Sequence, residues 1–181
     1  MARLPEITDK QDIPPDKRPI FDQIASSRGR IGFPFSLLLN SPEVAGRTAH
    51  LGSYIRFESV LSPVNRELAI ITTSREFDCR FEWAFHAPLA LEAGVRREAI
   101  DVVANHGDLD SLTADEAMII GYGRELFRDH RVSDETFRIA RARIGDKGIT
   151  ELTATFGYYA MLACTLNALE AEPPADRPRL P

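Results

Sequence analysis

Three side chains that can move protons or act as nucleophiles lie close together near the middle of the chain. Cys79, Glu82 and His86 are separated by three and four residues. Residues at these separations lie on one face of an α-helix. If this segment is helical, a thiol, a carboxylate and an imidazole share one stripe. Such a set of groups is suited to general acid–base catalysis or to thiol chemistry.

Aromatic residues flank this stripe at Phe77, Phe81, Trp83 and Phe85. They can exclude water, and a dry environment raises the pKa of a carboxyl group and makes it a better proton carrier. We therefore name Phe81 and Trp83 as candidate substrate-binding residues. Aromatic residues on a helix also commonly fill a core, and the sequence leaves this alternative open.

Glu67 is a fourth candidate, because it directly precedes the apolar run Leu68–Ile71. A carboxylate in apolar surroundings is costly unless it has partners. If the chain turns near Phe77, the helices before and after the turn pack antiparallel. At about 1.5 Å per residue, Glu67 then lies roughly 15 Å from the turn on one helix and His86 roughly 12 Å from it on the other. This geometry permits the two side chains to meet.

Cys79 follows Asp78, which we predict to cap the helix that carries the stripe. Free N–H groups and the helix dipole favour a thiolate at this end of a helix, whereas the Asp78 charge opposes it. A small buried residue is the common alternative role for a lone cysteine. Reactive and structural roles for Cys79 both stay open.

Start and stop signals divide the rest of the chain into further helices. Capping hydroxyls followed by proline or acidic residues are typical of helix starts, and glycines are typical of helix ends. The starts are Ser41, Ser62, Thr113 and Ser133, and the ends are Gly94, Gly107 and Gly145. A last helix over Ile149–Glu170 is apolar on most of its circumference, which predicts burial on several sides. The one strand-like run, Ala69–Thr73, lacks alternating polarity. We predict an all-α fold in which an antiparallel helix pair carries the stripe.

Proline-rich segments stand at both ends of the chain, over Pro5–Pro19 and Pro173–Pro181. Such segments favour extended backbone, so we predict arms over residues 1–20 and 171–181 that lie on a surface or on a neighbouring subunit. The helical core is expected over about residues 41–170. No segment of this core has the composition of an interdomain linker, so we predict a single domain over residues 1–181.

Composition narrows the class of protein. The chain has 181 residues, with 22 Lys and Arg against 27 Asp and Glu, and a formal net charge of −5. The length fits about one domain, and the acidic balance argues against nucleic-acid binding, which needs a basic face. No apolar run approaches the roughly 20 residues of a membrane span, and the first residues lack a secretory pattern. Because 2 cysteines cannot build a disulfide scaffold, we expect a cytoplasmic protein. What remains is a globular protein that acts on a small-molecule substrate or on a protein partner.

Several weaker candidates lie outside the stripe. His50 is on the helix before the pair, on an apolar side with Leu51 and Tyr54, and Tyr158 lies on the last helix. Both are named as candidate substrate-binding residues, with core packing as the alternative. Glu82 and His86 alone do not make a zinc site, which needs three or four protein ligands, so we predict no metal.

The segment Arg66–Gly94 resembles the core of the carboxymuconolactone decarboxylase superfamily, which includes the alkyl hydroperoxidase D (AhpD)-like proteins. The resemblance rests on R-E-L-A-I from residue 66, C-x-F-E-W-x-x-H from residue 79 and A-x-x-A-G-V from residue 90. Residues 151–167 resemble the last core helix of the same group. The resemblance implies an all-helical AhpD-like fold and a homo-oligomer of three or six subunits.

Two branches of this superfamily imply different chemistry. The hydroperoxidase-type branch resembles the chain at Glu67, Cys79 and His86, but its second cysteine falls at position 82, which is Glu82 here. Cys164 can replace that thiol only if its Cα lies within about 7 Å of the Cys79 Cα. The decarboxylase-type branch resembles the chain at Glu82 and His86 and generally lacks the cysteine.

We therefore expect a decarboxylase-like enzyme that acts on a small organic acid or lactone. His86 and Glu82 transfer the proton, Glu67 adjusts the acidity of both groups, and Cys79 lines the site. The substrate's own lactone or enone accepts the electrons left by CO₂, so no cofactor is required. The alternatives are a peroxidase that acts through Cys79 and a ligand-binding oligomer without catalysis.

Overall fold

The computed structural model describes residues 2–181, and every regular element in this range is helical. Two short 3₁₀ turns, Lys10–Asp12 and Pro15–Lys17, precede eight α-helices. The helices are α1 (Arg18–Arg28), α2 (Phe35–Leu38), α3 (Pro42–Phe57), α4 (Pro63–Glu76), α5 (Arg80–Ala93), α6 (Arg97–Ala104), α7 (Ala114–Arg128) and α8 (Asp134–Ala168). The prediction of an all-α fold is confirmed. No helix of the described residues is both long and apolar enough to span a membrane.

The chain divides into two compact units. One contains the described residues up to Ser59 together with Ala168–Ala171, and the other contains Val60–Asn167 together with Glu172–Pro181. The first unit therefore holds α1–α3, and the second holds α4–α7 and nearly all of α8. The single domain over residues 1–181 stays a prediction.

The first unit is built on the packing of α1 against α3. Gly46 of α3 lies so close to α1 that a Cβ there would approach the Ile20 side chain to 2.9 Å. The expectation of an extended arm over residues 1–20 is wrong in part, because two 3₁₀ turns and the start of α1 fall inside it. The side chain of Asp9 accepts a hydrogen bond from Gln11 N, and prolines are compatible with the first turn of a helix, so this segment turns instead of extending.

Helix α4 is the centre of the second unit and packs against α5, α6 and α7. Its start matches the predicted signal, since the Ser62 hydroxyl accepts a hydrogen bond from Asn65 N at 3.1 Å. From Glu67 to Ser74 every residue is buried. The hydroxyls of Thr72, Thr73 and Ser74 donate to the backbone carbonyls four residues earlier, at 2.7–2.9 Å. These bonds satisfy the polar side chains in an otherwise apolar core.

The turn between α4 and α5 differs from the sequence prediction. Asp78 is not the cap: Cys79 is the N-cap residue of α5, and Asp78 has a left-handed φ of 46°. Aspartate is one of the few non-glycine residues that tolerate this conformation, and here its carboxylate pairs with Arg75. The tight reversal places α4 and α5 side by side.

Helix α8 has a break where the sequence predicts one. Gly145 has φ 69° and ψ 177°, so the run Asp134–Ala168 consists of two helical pieces. The second piece buries Leu152, Phe156, Leu162 and Leu166 almost completely. The residues after α8 form no helix up to Pro181, as predicted for the C-terminal arm. In this arm the Arg177 guanidinium lies 4.7 Å from the centre of the Phe85 ring.

Candidate active site

Two neighbouring helices of the second unit bring the predicted acid–base residues together. Glu67 comes from α4, and Glu82 and His86 come from α5. All three side chains are buried, with 6–7% of each exposed. Burial of two carboxylates and an imidazole costs free energy unless the groups pair with one another.

The imidazole of His86 lies between the two carboxylates. Its Nδ1 is 2.8 Å from Oε2 of Glu67, a hydrogen-bond distance. Its Nε2 is 3.4 Å from Oε2 of Glu82, which stands four residues earlier on the same helix. Each ring nitrogen therefore has a carboxylate as its nearest charged neighbour, and this contact joins α4 to α5.

This arrangement limits where the ring hydrogen of His86 can lie. A neutral imidazole carries one N–H and one acceptor nitrogen. If Nδ1–H donates to Glu67, an unprotonated Nε2 faces the oxygen of Glu82, and two lone pairs repel. One more proton, either on Nε2 or on a carboxyl group, removes the repulsion. A proton that can occupy either of two adjacent atoms is available for transfer to a substrate.

Tyr159 of α8 is the aromatic residue that contacts the imidazole. The ring centres of Tyr159 and His86 are 5.3 Å apart, with the ring planes nearly perpendicular at 79°. Tyr158, the predicted substrate-binding residue, packs on Tyr159 at 5.2 Å. Both tyrosines are buried. The pattern of α8 alone does not distinguish two adjacent tyrosines, because the choice depends on the rotation of α8 against α5.

A cation stands beside the buried carboxylates and was not among the predicted site residues. The Nε of Arg66 lies 3.9 Å from Oε1 of Glu67, the oxygen that His86 does not contact at hydrogen-bond distance. This Nε is buried and has no hydrogen-bond partner. The Arg66 side chain is 17% exposed. The sequence signal that could have identified Arg66 as a site residue is its position directly before Glu67 in the R-E-L-A-I motif.

Cys79 is buried and free, at the N-terminus of α5. The pKa of its thiol is raised from 9.0 to about 12, mainly by burial; the backbone N–H groups of Glu82 and Phe81 oppose this rise, and the charge of the Glu82 carboxylate contributes to it. The helix terminus favours the thiolate, as the sequence indicated, but its effect is the smaller one. Desolvation of the charged sulfur outweighs the helix dipole here.

The predicted aromatic residues divide into two groups. Phe81 is buried and stacks on Phe85, with ring centres 4.8 Å apart. Trp83 belongs to the apolar core around α4, which includes Leu68 and Ile71. The structure thus gives Trp83 a packing role, and substrate contacts for Phe81 and Trp83 stay predictions.

The remaining candidates lie outside this cluster. His50 is on α3 of the first unit and is exposed, so the expectation that it packs on an apolar helix side is wrong; the adjacent Leu51 is exposed as well. Cys164 of α8 is free and exposed. Among residues 2–181 no group of three or more His, Cys, Asp or Glu side chains is arranged to hold a metal ion.

Comparison with protein families finds a match over the segment that carries this cluster. Residues 42–120 match the model of the Carboxymuconolactone decarboxylase family, a segment that contains Glu67, Cys79, Glu82 and His86. No curated protein matches the chain significantly.

Solved structures share the fold over nearly the whole chain. An AhpD-core, uncharacterized peroxidase-related protein from Ralstonia eutropha JMP134 is 16% identical, with a TM-score of 0.77 over 97% of this chain and 93% of its own. An uncharacterized peroxidase-related protein from Silicibacter sp. TM1040 is 15% identical, with a TM-score of 0.74; the match covers 97% of this chain and 95% of that protein. The apo debrominase Bmp8 is 16% identical, with a TM-score of 0.70; the match covers 95% of this chain and 92% of Bmp8. A cysteine-to-alanine variant of Bmp8 has been crystallised with 2,3,4-tribromopyrrole.

At such identities the structures show the fold alone. Residues 42–120 are thus similar to the Carboxymuconolactone decarboxylase family, and the fold of the chain is the AhpD-like helical fold of these neighbours. The resemblance inferred from the sequence motifs and the predicted AhpD-like helical fold are both confirmed.

The burial and raised pKa of Cys79 predict its reactivity. Iodoacetamide reacts with thiolates, so between about pH 7 and pH 9 the native protein should be alkylated at the exposed Cys164 and not at Cys79. Peptide mass spectrometry identifies the labelled residue, and unfolding in guanidinium chloride before labelling should make both cysteines react. Rapid labelling of Cys79 in the native protein at pH 7 would contradict the pKa shift.

Proposed function

We propose that the protein is a carboxymuconolactone decarboxylase-like enzyme that transfers a proton to or from a small organic acid or lactone through His86 and Glu82. The observation that carries the proposal is the His86 imidazole held between the buried carboxylates of Glu67 and Glu82. A buried ionic cluster of this kind adds little to stability compared with apolar residues of similar volume, so its presence supports a chemical role.

Each of the three residues has a distinct role in this proposal. Glu67 accepts the hydrogen bond from Nδ1–H of His86 and so fixes the ring orientation and the tautomer. Nε2 is then the nitrogen that exchanges a proton. Glu82, 3.4 Å from Nε2, holds the second proton or passes it to the substrate. Tyr159 packs on the imidazole of His86 and limits the rotation of this ring.

Decarboxylation by this set of groups balances without a further reactant. The bond between the carboxylate carbon and the adjacent carbon breaks, CO₂ leaves, and the electron pair moves into the conjugated carbonyl of the lactone or enone. The enolate formed then takes a proton at carbon from His86 or Glu82. The dry surroundings strengthen the electrostatic interactions on which this proton transfer depends.

Arg66 supports an anionic substrate. A buried guanidinium N–H without a partner is costly, and a carboxylate is the acceptor that matches it best. An acid bound at Arg66 would lie beside Glu67, within reach of the same cluster. The carboxymuconolactone named in the family description carries such a group.

The alternatives have less support. A peroxidase that uses Cys79 as its nucleophile requires a thiolate, whereas burial keeps this thiol protonated at neutral pH. A ligand-binding oligomer without catalysis would bind lactone acids and leave them unchanged. Assembly into three or six subunits and the absence of a cofactor stay predictions of the resemblance.

Substitution of the proton-transfer residues tests the proposal. Release of CO₂ from carboxymuconolactone and related γ-lactone acids should fall about 10²–10⁴-fold in H86A and E82Q, because each variant removes a general acid–base group. Exchange of substrate carbon-bound hydrogen for deuterium in D₂O, followed by NMR, detects proton transfer even where CO₂ is not lost.

The matched control is E151Q. Glu151 is also a buried carboxylate of the second unit, but its Oε2 accepts a hydrogen bond from Val60 N at 2.7 Å and lies outside the cluster. This variant should keep wild-type turnover. Equal turnover in wild type, H86A and E82Q on the same substrate would refute the proposal, and binding of the acids without any turnover would favour the non-catalytic alternative.

Replacement of Arg66 tests the substrate class. R66Q should raise KM for lactone acids about tenfold with little change in kcat, because it removes one charge-assisted hydrogen bond to the bound carboxylate. R75Q is the control, since the Arg75 side chain is on the same helix, is equally exposed at 17% and also has a buried, unpaired Nε. An equal change of KM in both variants would exclude a specific role for Arg66.

A further inference from the structure

The acid–base cluster is enclosed, although a substrate has to reach it. His86 and Glu82 are both buried, with 5% of each residue exposed. For proton transfer, a reacting atom of the substrate must come within about 3–3.5 Å of the imidazole nitrogen. An element beside the cluster therefore has to move before the proposed reaction, and enzymes commonly use loops or lids for this purpose.

The C-terminal arm of the second unit, residues 172–181, lies along the first half of α5. Near the start of this helix, a carboxylate oxygen of Glu172 is 3.7 Å from Nη1 of Arg80. Further along the helix, the Arg177 guanidinium covers the ring of Phe85, 4.7 Å from the ring centre. The arm thus follows the part of α5 that carries the proton-transfer residues.

The contact with Phe85 connects the arm to the site. The ring of Phe85 stacks on that of Phe81, with ring centres 4.8 Å apart. Phe81 directly precedes Glu82 in the chain, and Phe85 directly precedes His86. The two stacked rings therefore flank the proton-transfer residues on α5, and the arm lies against this flank.

The arm is held less firmly than the helices around the cluster. Every residue from Pro174 to Arg179 is exposed. The backbone hydrogen bond from Arg177 N to the Pro174 oxygen lies within the arm. The ion pair of Glu172 with Arg80 joins side chains that are 61% and 71% exposed, and such surface pairs add little to stability. Segments with few buried contacts open more readily than packed helices.

Proline makes the same arm stiff. Four of its ten residues are proline, which favours extended backbone and has no N–H to donate. Little conformational entropy is therefore lost when the arm docks. Leu180, near its end, packs against the apolar core of the second unit. A stiff segment with one apolar contact near its end can leave α5 and return to the same position.

We propose that this arm is a strap that closes the α5 side of the site, and that its release admits the substrate to His86 and Glu82. The cation–π contact of Arg177 with Phe85 holds the strap in the closed position. Closure after substrate binding excludes water from the cluster during proton transfer. This role rests on the proposed function, but the movement of the strap can be measured without turnover.

Acylation of His86 by diethyl pyrocarbonate in the full chain measures this movement. The reagent modifies an accessible, unprotonated nitrogen of a neutral imidazole, and mass spectrometry of tryptic peptide 81–96 reports on His86 alone. Wild type should react slowly at His86 and rapidly at the exposed His50. R177Q should speed modification of His86 about two- to fivefold, because it removes the cation–π contact. L180A, which removes the apolar contact near the end of the arm, should also speed it.

The matched control is R179Q. Arg179 is an exposed arginine of the same arm, whereas the contact with Phe85 belongs to Arg177. In R179Q the modification of His86 should keep its wild-type rate, and His50 should react equally in every variant. R177Q replaces an exposed residue, so its Tm should stay within about 2 °C of wild type, and faster modification then reports on the arm and not on global unfolding.

Equal rates at His86 in wild type, R177Q and L180A would overturn the strap. An equal acceleration in R177Q and R179Q would also overturn it, because the effect would then come from charge in general and not from the contact with Phe85. The labelling needs no turnover, so a protein without decarboxylase activity still shows whether the arm opens. Equal labelling rates, in turn, leave the proposed proton transfer by His86 and Glu82 untouched.

Discussion

The contact between Glu67 and His86 is the interaction on which the site depends. It joins two helices through a carboxylate and an imidazole that are almost fully removed from water. Neither group can be buried alone without a large loss of free energy, so each one requires the other to stay in place. The tight turn at Asp78 and the packing of α4 in the centre of its unit hold the two helices at the spacing that this contact needs.

The same contact directs the chemistry of its neighbours. In our account Glu67 occupies Nδ1, so that Nε2 and Glu82 are the groups that exchange protons. Glu82 is in turn close enough to Cys79 to influence its thiol, so acid–base groups and a cysteine share one enclosed region. The chain resembles two motif patterns at once, with a glutamate at position 82 as in the decarboxylase-type pattern and a cysteine at position 79 as in the hydroperoxidase-type pattern. In our account the glutamate defines the reaction.

Much of this arrangement could be predicted from the sequence, because it follows from local rules. The three- and four-residue spacings placed Glu82 and His86 on one helix face, and the apolar run after Glu67 indicated a carboxylate that needs a partner. The helix starts at Ser62 and Thr113 could be predicted for the same reason, because each depends only on a hydroxyl group and the next few backbone N–H groups.

Features that the sequence left open or predicted wrongly depend on a balance of energies or on a tertiary contact. The ionisation of Cys79 depends on desolvation, which the sequence does not measure. The exposure of His50 depends on which face of α3 is covered, and the choice of Tyr159 over Tyr158 depends on the rotation of α8. Asp78 is not the N-cap residue of α5, because the turn before this helix needs a residue with a positive φ at position 78.

The central claim is that Glu67 accepts a hydrogen bond from Nδ1–H of His86 and so leaves Nε2 facing Glu82. Nitrogen-15 NMR of the histidine side chains, measured against pH in wild type and E67Q, tests this claim most directly. The account predicts that Nδ1 of His86 carries a hydrogen throughout the neutral range in wild type, and that E67Q weakens this preference. A ring protonated only at Nε2, with the same spectrum in E67Q, would contradict it.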